Sequence, residues 1–182
     1  MQTKVYPTIK DIPGGVILPK QVHGERIVEL INGSEDLSEC DGIFTKNKDL
    51  IIGIRTADCA PICFSDGEKI GIVHAGWPGL CLSIIENILK NFNPESVEVF
   101  VGPFMHSFEI KRDFCYEKIV AKFGEQFFSF EEDRIVFHFK DAVASLLPES
   151  VKFDLRNTFV DTSLPSHRRD KTEGRLVTVV KF

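Results

Sequence analysis

The sequence predicts an α+β fold in which a mixed β-sheet core is flanked by helices, on three observations. Short apolar runs bounded by turn residues dominate the first part of the 182-residue chain. The hydrophobic period turns helical in only a few later segments. Strands and helices do not alternate in the regular manner of a parallel βαβ sheet.

Val16 to Leu18 and Arg26 to Ile31 read as strands, and the turn-rich Asn32-Gly-Ser-Glu-Asp36 follows. Leu50 to Ile54, Pro61 to Phe64 and Ile70 to Val73 form a denser set, broken by the turn Ser65-Asp-Gly-Glu-Lys69. Runs that are apolar at successive positions bury both faces and belong in the middle of a sheet. After Trp77 the period changes: Leu80, Ile84, Ile85, Ile88 and Leu89 fall on one helical face until Asn93-Pro94, which predicts a helix of about three turns. Val97 to Val101 reads as a strand, Cys115 to Phe123 as a helix stopped by Gly124, Arg134 to Phe139 as a strand and Asp141 to Leu147 as a short helix. The polar stretch from Ser163 to Gly174 precedes a strand-like end, Arg175 to Phe182. A loop placed before a terminal strand is where a substrate rim is expected.

One domain spanning residues 1–182 is expected, because 43% hydrophobic residues and 16 Phe supply a core without staples. The net charge of -5, with basic residues spread out apart from a knot near the C-terminus, disfavours nucleic acid as a partner. The N-terminal residues lack the apolar core of a signal peptide, and no segment approaches the ~18 apolar residues of a membrane span, so a cytoplasmic protein without a membrane partner is expected. Cys40, Cys59, Cys63, Cys81 and Cys115 are odd in number and dispersed, which argues for thiols rather than a disulfide framework.

The strongest chemical signal is Lys69 to Leu80, where an apolar strand ends on His74 and an Ala-Gly pair leads into a helix. An imidazole then stands beside free backbone N–H groups that favour anions. Taken alone, such a histidine more commonly closes a strand and hydrogen-bonds a carbonyl. Cys59 lies in a polar break between two apolar strands, whereas Cys63, Cys81 and Cys115 sit inside apolar patterns as small buried side chains do. Gln21 and His23 stand two apart and project from one side of an extended segment. The gaps between His23, Cys59 and His74 match no local metal signature, yet two imidazoles and a thiolate suit zinc and leave a fourth position for water. The knot of His167, Arg168, Arg169 and Arg175 is either a solvated loop or a phosphate or carboxylate clamp, and Arg55 is a further candidate of that kind.

The motifs Gln21-Val-His-Gly24, Asp41-Gly-Ile-Phe-Thr45, Thr56-Ala-Asp-Cys59 and His74-Ala-Gly-Trp-Pro-Gly79 together resemble the multicopper polyphenol oxidoreductase family, also called the purine nucleoside phosphorylase or peptidoglycan editing factor family. Partial matches at Gly102-Pro103, Cys115-Tyr-Glu117, Ser166-His-Arg-Arg-Asp170 and Gly174-Arg175 extend the resemblance to the end of the chain. It implies a zinc centre held by His23, Cys59 and His74, with copper the less favoured metal. It also implies a fold similar to that of toxin deamidases with a Cys-His pair. Activities implied are phosphorolysis of adenosine, inosine or methylthioadenosine and deamination of adenosine, with copper-dependent phenol oxidation or removal of wrongly assembled peptidoglycan precursors in other members. Pro78 departs from the family's usual His-Ala-Gly-Trp-Arg-Gly, Phe104 from Gly-Pro-Cys and His167 from a usual tyrosine.

Three functions follow as expectations. The leading one is a zinc-dependent enzyme acting on purine nucleosides and phosphate, with Asp58 or a neighbouring carboxylate carrying the proton and Gln21, Arg55, Arg168, Arg169 and Arg175 contacting substrate or phosphate. The second is a metal-free hydrolase or amidase with Cys59 as nucleophile and His74 as base. The third is a non-catalytic module whose metal holds loops together, against which the open fourth ligand position argues. A single His2Cys centre suits four-electron copper oxidation poorly.

Overall fold

The computed structural model describes residues 1–131 and 133–182. In chain order the strands are β1 Gln2–Tyr6, β2 Val16–Ile17, β3 Ile27–Leu30, β4 Gly42–Thr45, β5 Ile51–Thr56, β6 Ala60–Ser65 and β7 Ile70–Ala75. Two short helices, α1 Trp77–Cys81 and α2 Ile84–Leu89, precede β8 Glu98–Val101 and β9 Phe108–Ile110. Helix α3 Phe114–Phe123 is followed by β10 Phe128–Glu131, β11 Arg134–Phe137, α4 Phe139–Ala144 and β12 Lys152–Phe153. Helix α5 His167–Asp170 and β13 Leu176–Lys181 complete the chain's described elements.

The expected α+β architecture with mixed sheets is observed. A six-stranded sheet runs β12-β8-β6-β7-β4-β3, antiparallel at its centre and parallel at both outer pairs. A four-stranded sheet, β1-β13-β5-β2, and a three-stranded antiparallel sheet, β10-β11-β9, accompany it. Both faces of the six-stranded sheet are covered, which is why β6 and β7 are apolar at nearly every position. On one face Ile43, Cys63, Ile70 and Ile72 pack with Ile52, Ile54 and Val180 of the four-stranded sheet. On the other, Phe44, Ile62, Phe64 and Val73 pack with Ile84, Ile85 and Ile88 of α2 and with the aromatic side chains of the three-stranded sheet and α4. Period-two alternation puts His74 on the same side of β7 as Ile70 and Ile72.

The structure corrects three sequence expectations. The run from Leu80 to Leu89 is two helices rather than one, because Ser83 takes the left-handed conformation at φ 68. Leu80, Ile84, Ile85 and Ile88 are nonetheless all buried, so the periodicity reported burial without backbone continuity. The break lets Gly79 approach the Gly24 carbonyl oxygen, where an added Cβ would lie 3.1 Å away. Phe139 opens α4 instead of ending β11, and α4 stops at Ala144. The run containing Ile51 to Ile54 is interior to a sheet as expected, but to the four-stranded one and not beside β6 and β7, lying parallel to β2 and antiparallel to β13. Helix α3 matches its expected span, capped by the Asp113 carboxylate and ended at Gly124, whose φ of 77 favours glycine.

Gly71 leaves no room for a side chain under α2 and its neighbours: a Cβ there would sit 2.9 Å from Phe92 Cζ, 3.0 Å from Phe44 Cβ and 3.2 Å from Ile88 Cδ1. Gly71→Ala is expected to lower unfolding free energy by about 1–3 kcal/mol through overpacking, read as a reduced midpoint in urea denaturation at unchanged slope.

Candidate metal centre and substrate cleft

The register of β4 and β7 pairs Ile43 with Ile72 and Gly42 with Val73, so one step further Asp41 lies opposite His74. The His74 amide donates to the Asp41 carbonyl at 2.7 Å, and the His74 ring nitrogen Nδ1 lies 2.7 Å from Asp41 Oδ1. Asp41 is fully buried, and its carboxylate also accepts the backbone N–H groups of Val22, His23 and Gly24 at 3.0, 3.0 and 2.8 Å. One carboxylate therefore fixes the His74 ring and the loop that carries His23. With Nδ1–H donated to Asp41, His74 turns Nε2 to the cleft, where loss of its proton would give a lone pair to a metal.

Cys59 enters from the loop between β5 and β6, beside the end of β7. Ligand atoms of His23, Cys59 and His74 all lie within 4.8 Å of one another, and the two imidazole rings meet edge to face with centroids 4.6 Å apart. His23 is exposed, Cys59 half-buried and His74 buried. Gly76 makes this convergence possible: a Cβ on it would fall 2.9 Å from His23 Cδ2 and 3.1 Å from Cys59 Sγ. The backbone is strained on either side, with His23 at φ 62 and Asp58 at φ 89.

Burial alone would raise the Cys59 thiol, but hydrogen bonding and charge from His23 and His74 outweigh it and lower the pKa from 9.0 to about 6. Burial works against a charged His74, yet Asp41 and Cys59 raise its pKa from 6.5 to about 9. In the metal-free protein the pair is a thiolate beside an imidazolium near neutral pH. Cys63, by contrast, is pushed up by burial alone, as expected of a packing cysteine.

The three residues lie in the wall of a cleft of about 580 Å³, within the ~300–1,000 Å³ common for small-molecule sites. Gln21, Arg55, Asp58, Arg168 and Arg175 of the expected set line it, and Arg169 does not. The Gln21 side chain pairs with the backbone of Arg55, giving Nε2 to its carbonyl at 2.7 Å and accepting its amide at 3.0 Å. Asp58 accepts Thr158 Oγ1 at 2.8 Å and the Arg168 amide at 2.7 Å, tying the cysteine loop to α5. The Arg169 guanidinium instead donates to the carbonyls of Thr158, Phe159, Asp161 and Leu164 and to the Asp170 carboxylate, so it binds its own loop together. Arg168 stacks over Phe108 at 4.7 Å.

Sequence reasoning quoted Asp41, Gly76 and Trp77 only within motifs and gave Asp41 no role at the site, and it missed the apolar wall of Met105, Phe108 and Phe139 beside Trp77. A carboxylate opening an otherwise apolar run was the available signal for Asp41. The helix start beside His74 is weaker for anions than expected, because α1 has five residues and Pro78 carries no N–H.

Two imidazoles and a thiolate with a carboxylate behind one ring, at the wall of a small-molecule cleft, define a centre able to bind a metal. Residues 8–182 match the family described as multi-copper polyphenol oxidoreductase laccase, and the chain belongs to that family. It is 35% identical over 173 residues to a protein named purine nucleoside phosphorylase from Aquifex aeolicus, covering 91% of this chain and 82% of the relative. A Rickettsia conorii protein of the same name is 31% identical, covering 85% and 70%, and purine nucleoside phosphorylase YfiH of Escherichia coli is 25% identical, covering 93% and 75%. The fold is shared with a Bacillus licheniformis protein, YfiH, at TM-score 0.80 and 23% identity over 91% of this chain and 73% of that one. Among the described residues no helix is long and apolar enough to cross a membrane.

Two outcomes are expected. Asp41→Asn, which keeps the shape but loses the charge behind His74, lowers the affinity of the centre for an added divalent metal ion by about 10–100-fold in competition with a chromophoric chelator. Alkylation of metal-free protein by iodoacetamide at Cys59 stays fast as pH falls from 9.0 and slows only through about 6, because a lowered thiol pKa keeps the thiolate present to that point. A midpoint near the ordinary value would show that the imidazoles do not hold the thiolate.

Proposed function

We propose that the chain is a zinc-dependent purine nucleoside enzyme of the phosphorylase and adenosine deaminase type, acting in the cytoplasm on adenosine, inosine or methylthioadenosine. The observation that carries this reading is the convergence of His23, Cys59 and Asp41-backed His74 in a cleft with an aromatic wall and an arginine rim. Likeness to relatives named purine nucleoside phosphorylase supports the substrate class.

The donor set fits zinc. Imidazole and thiolate are its preferred ligands, the thiolate is already favoured, and the carboxylate behind His74 is the usual outer support of a zinc histidine. Bound there, zinc would supply Lewis acidity and make water a stronger nucleophile near neutral pH. Trp77, Phe108 and Phe139 offer apolar surface to a purine base, and Arg55, Arg168 and Arg175 offer guanidinium donors to an anion such as phosphate. Asp58 adjoins Cys59 with both carboxylate oxygens engaged, so it acts as a positioning residue for the cysteine loop. With Pro78 in place of the family arginine, phosphate is left to the three arginines of the rim.

A second reading, a metal-free cysteine hydrolase, draws on the Cys59 thiolate beside a charged His74. Its discriminator is the metal. Under the zinc reading the purified protein carries about one zinc per chain, His23→Ala abolishes both metal and turnover, and adenosine gives inosine, or adenine in the presence of phosphate. Mass spectrometric metal analysis with a nucleoside product screen checks this. Full activity in chelator with His23→Ala still active would establish the hydrolase, and absence of both zinc and nucleoside products would end the purine reading.

A further inference from the structure

A purine departs readily from a ribose only when its ring takes up a proton, and few groups in the cleft are placed to give one. His23, Cys59 and His74 belong to the metal centre. Both carboxylate oxygens of Asp58 accept hydrogen bonds, and the Gln21 amide is engaged by the Arg55 backbone. Glu173 turns outward, with 94% of its side chain exposed. Among the described residues that line the cleft and exchange a proton readily, His167 is left.

His167 is held at backbone and ring alike. It opens α5, which is capped by the buried Ser166, whose hydroxyl accepts the Arg169 amide at 3.1 Å. The peptide between His167 and Arg168 gives its N–H to Asp58 at 2.7 Å, and Asp58 is the chain neighbour of Cys59. That hydrogen bond fastens the start of α5 to the cysteine loop and sets His167 in the wall of the same cleft. The ring nitrogen Nδ1 lies 3.4 Å from the Thr172 carbonyl oxygen. A carbonyl only accepts, so Nδ1 carries the hydrogen and Nε2 is the nitrogen left for a ligand. A space of about 580 Å³ is on the order of 10 Å wide, comparable with the length of a nucleoside, so a substrate seated at the centre reaches the other walls.

We propose that His167 is the general acid of phosphorolysis, protonating N7 of the departing purine. This role rests on the phosphorolysis branch of the proposed function. As a phosphate oxygen bonds to C1′, the C1′–N9 bond breaks and its electron pair passes into the purine ring. Nε2 of the imidazolium gives its proton to N7. The proton that hydrogen phosphate sheds on becoming the ribosyl ester restores the imidazolium through solvent.

The test compares inosine with 7-methylinosine, whose base departs without a proton because a methyl group already occupies N7. In the full-length zinc-loaded protein with phosphate, His167→Gln is expected to lower kcat on inosine by about 100-fold or more and to change 7-methylinosine by less than about threefold. Metal content and melting temperature stay unchanged, since His167 is exposed and outside the ligand set. A second readout needs no turnover. By calorimetry without phosphate, the unmodified protein is expected to bind inosine about tenfold more tightly than 7-deazainosine, which lacks the N7 acceptor, whereas His167→Ala binds the two alike. Inosine turnover that survives His167→Gln, an equal loss on both nucleosides, or binding indifferent to N7 would overturn the role of His167 while leaving the purine reading intact. Phosphorolysis of neither nucleoside by the unmodified protein would overturn the phosphorolysis reading, and the role of His167 with it.

Discussion

The centre depends on one buried carboxylate. Asp41 collects three backbone N–H groups from residues 22–24 and the Nδ1 proton of His74, with no exposure to water. Four donors explain how a carboxylate stays ionised in such a place: burial raises its pKa, and the His74 and backbone hydrogen bonds more than reverse that. The same contacts determine where the ligands go. Strand register brings Asp41 opposite His74, and the loop amides then have a single place to close, which carries His23 over the end of β7. An unmet carboxylate at this depth would cost several kcal/mol, on the order of 3–5 for a broken buried pair, so the ligand loop and the sheet edge are energetically one unit.

That coupling accounts for the strain around it. His23 and Asp58 both adopt positive φ, and each is held by hydrogen bonds from distant parts of the chain: His23 through Asp41, Asp58 through Thr158 and the Arg168 amide. Strain of this kind persists only where the surroundings over-determine it. Gly76 completes the arrangement by supplying space in place of a bond, since any Cβ would press on His23 and Cys59 together. The loop at the end of β5, the turn after β7 and the segment before β13 are thus joined at the cleft.

How much of this could be read from sequence follows from the range of each interaction. Cys59 and His74 stood out because each ends or interrupts an extended apolar pattern, a local property, whereas His23 lies in the polar Lys20-Gln-Val-His-Gly-Glu25 and joined them through ligand chemistry and the family resemblance. The role of Asp41 was not legible, since its partner lies 33 residues away and only strand register makes them neighbours. β6, β7 and β13 were legible because burial on both faces makes their runs apolar, whereas β1 is half exposed and takes its definition from pairing with β13. The break between α1 and α2 left no trace in the periodicity, because the same apolar positions remain buried on both sides of it.

The basic knot shows why clustering of charge is a weak guide to binding. Arg168 and Arg169 are adjacent in sequence, yet Arg169 directs its guanidinium onto four carbonyls and a carboxylate, leaving little capacity for a ligand. Arg168 gives one hydrogen bond to the Glu109 carbonyl and lies over Phe108, and Arg55 gives one to the Pro19 carbonyl. Arg175 engages one nitrogen with the carbonyls of Thr172 and Gly174. Five N–H donors per guanidinium leave these three with capacity facing the cleft. Under the proposed function an anion would fall to Arg55, Arg168 and Arg175, which line the cleft, while Arg169 holds the loop beside Arg168. Because the Arg168 amide also caps Asp58 beside Cys59, the anion-facing rim and the thiolate are joined through one short path of hydrogen bonds. Displacement of the 157–170 segment would disturb both ends of the site at once.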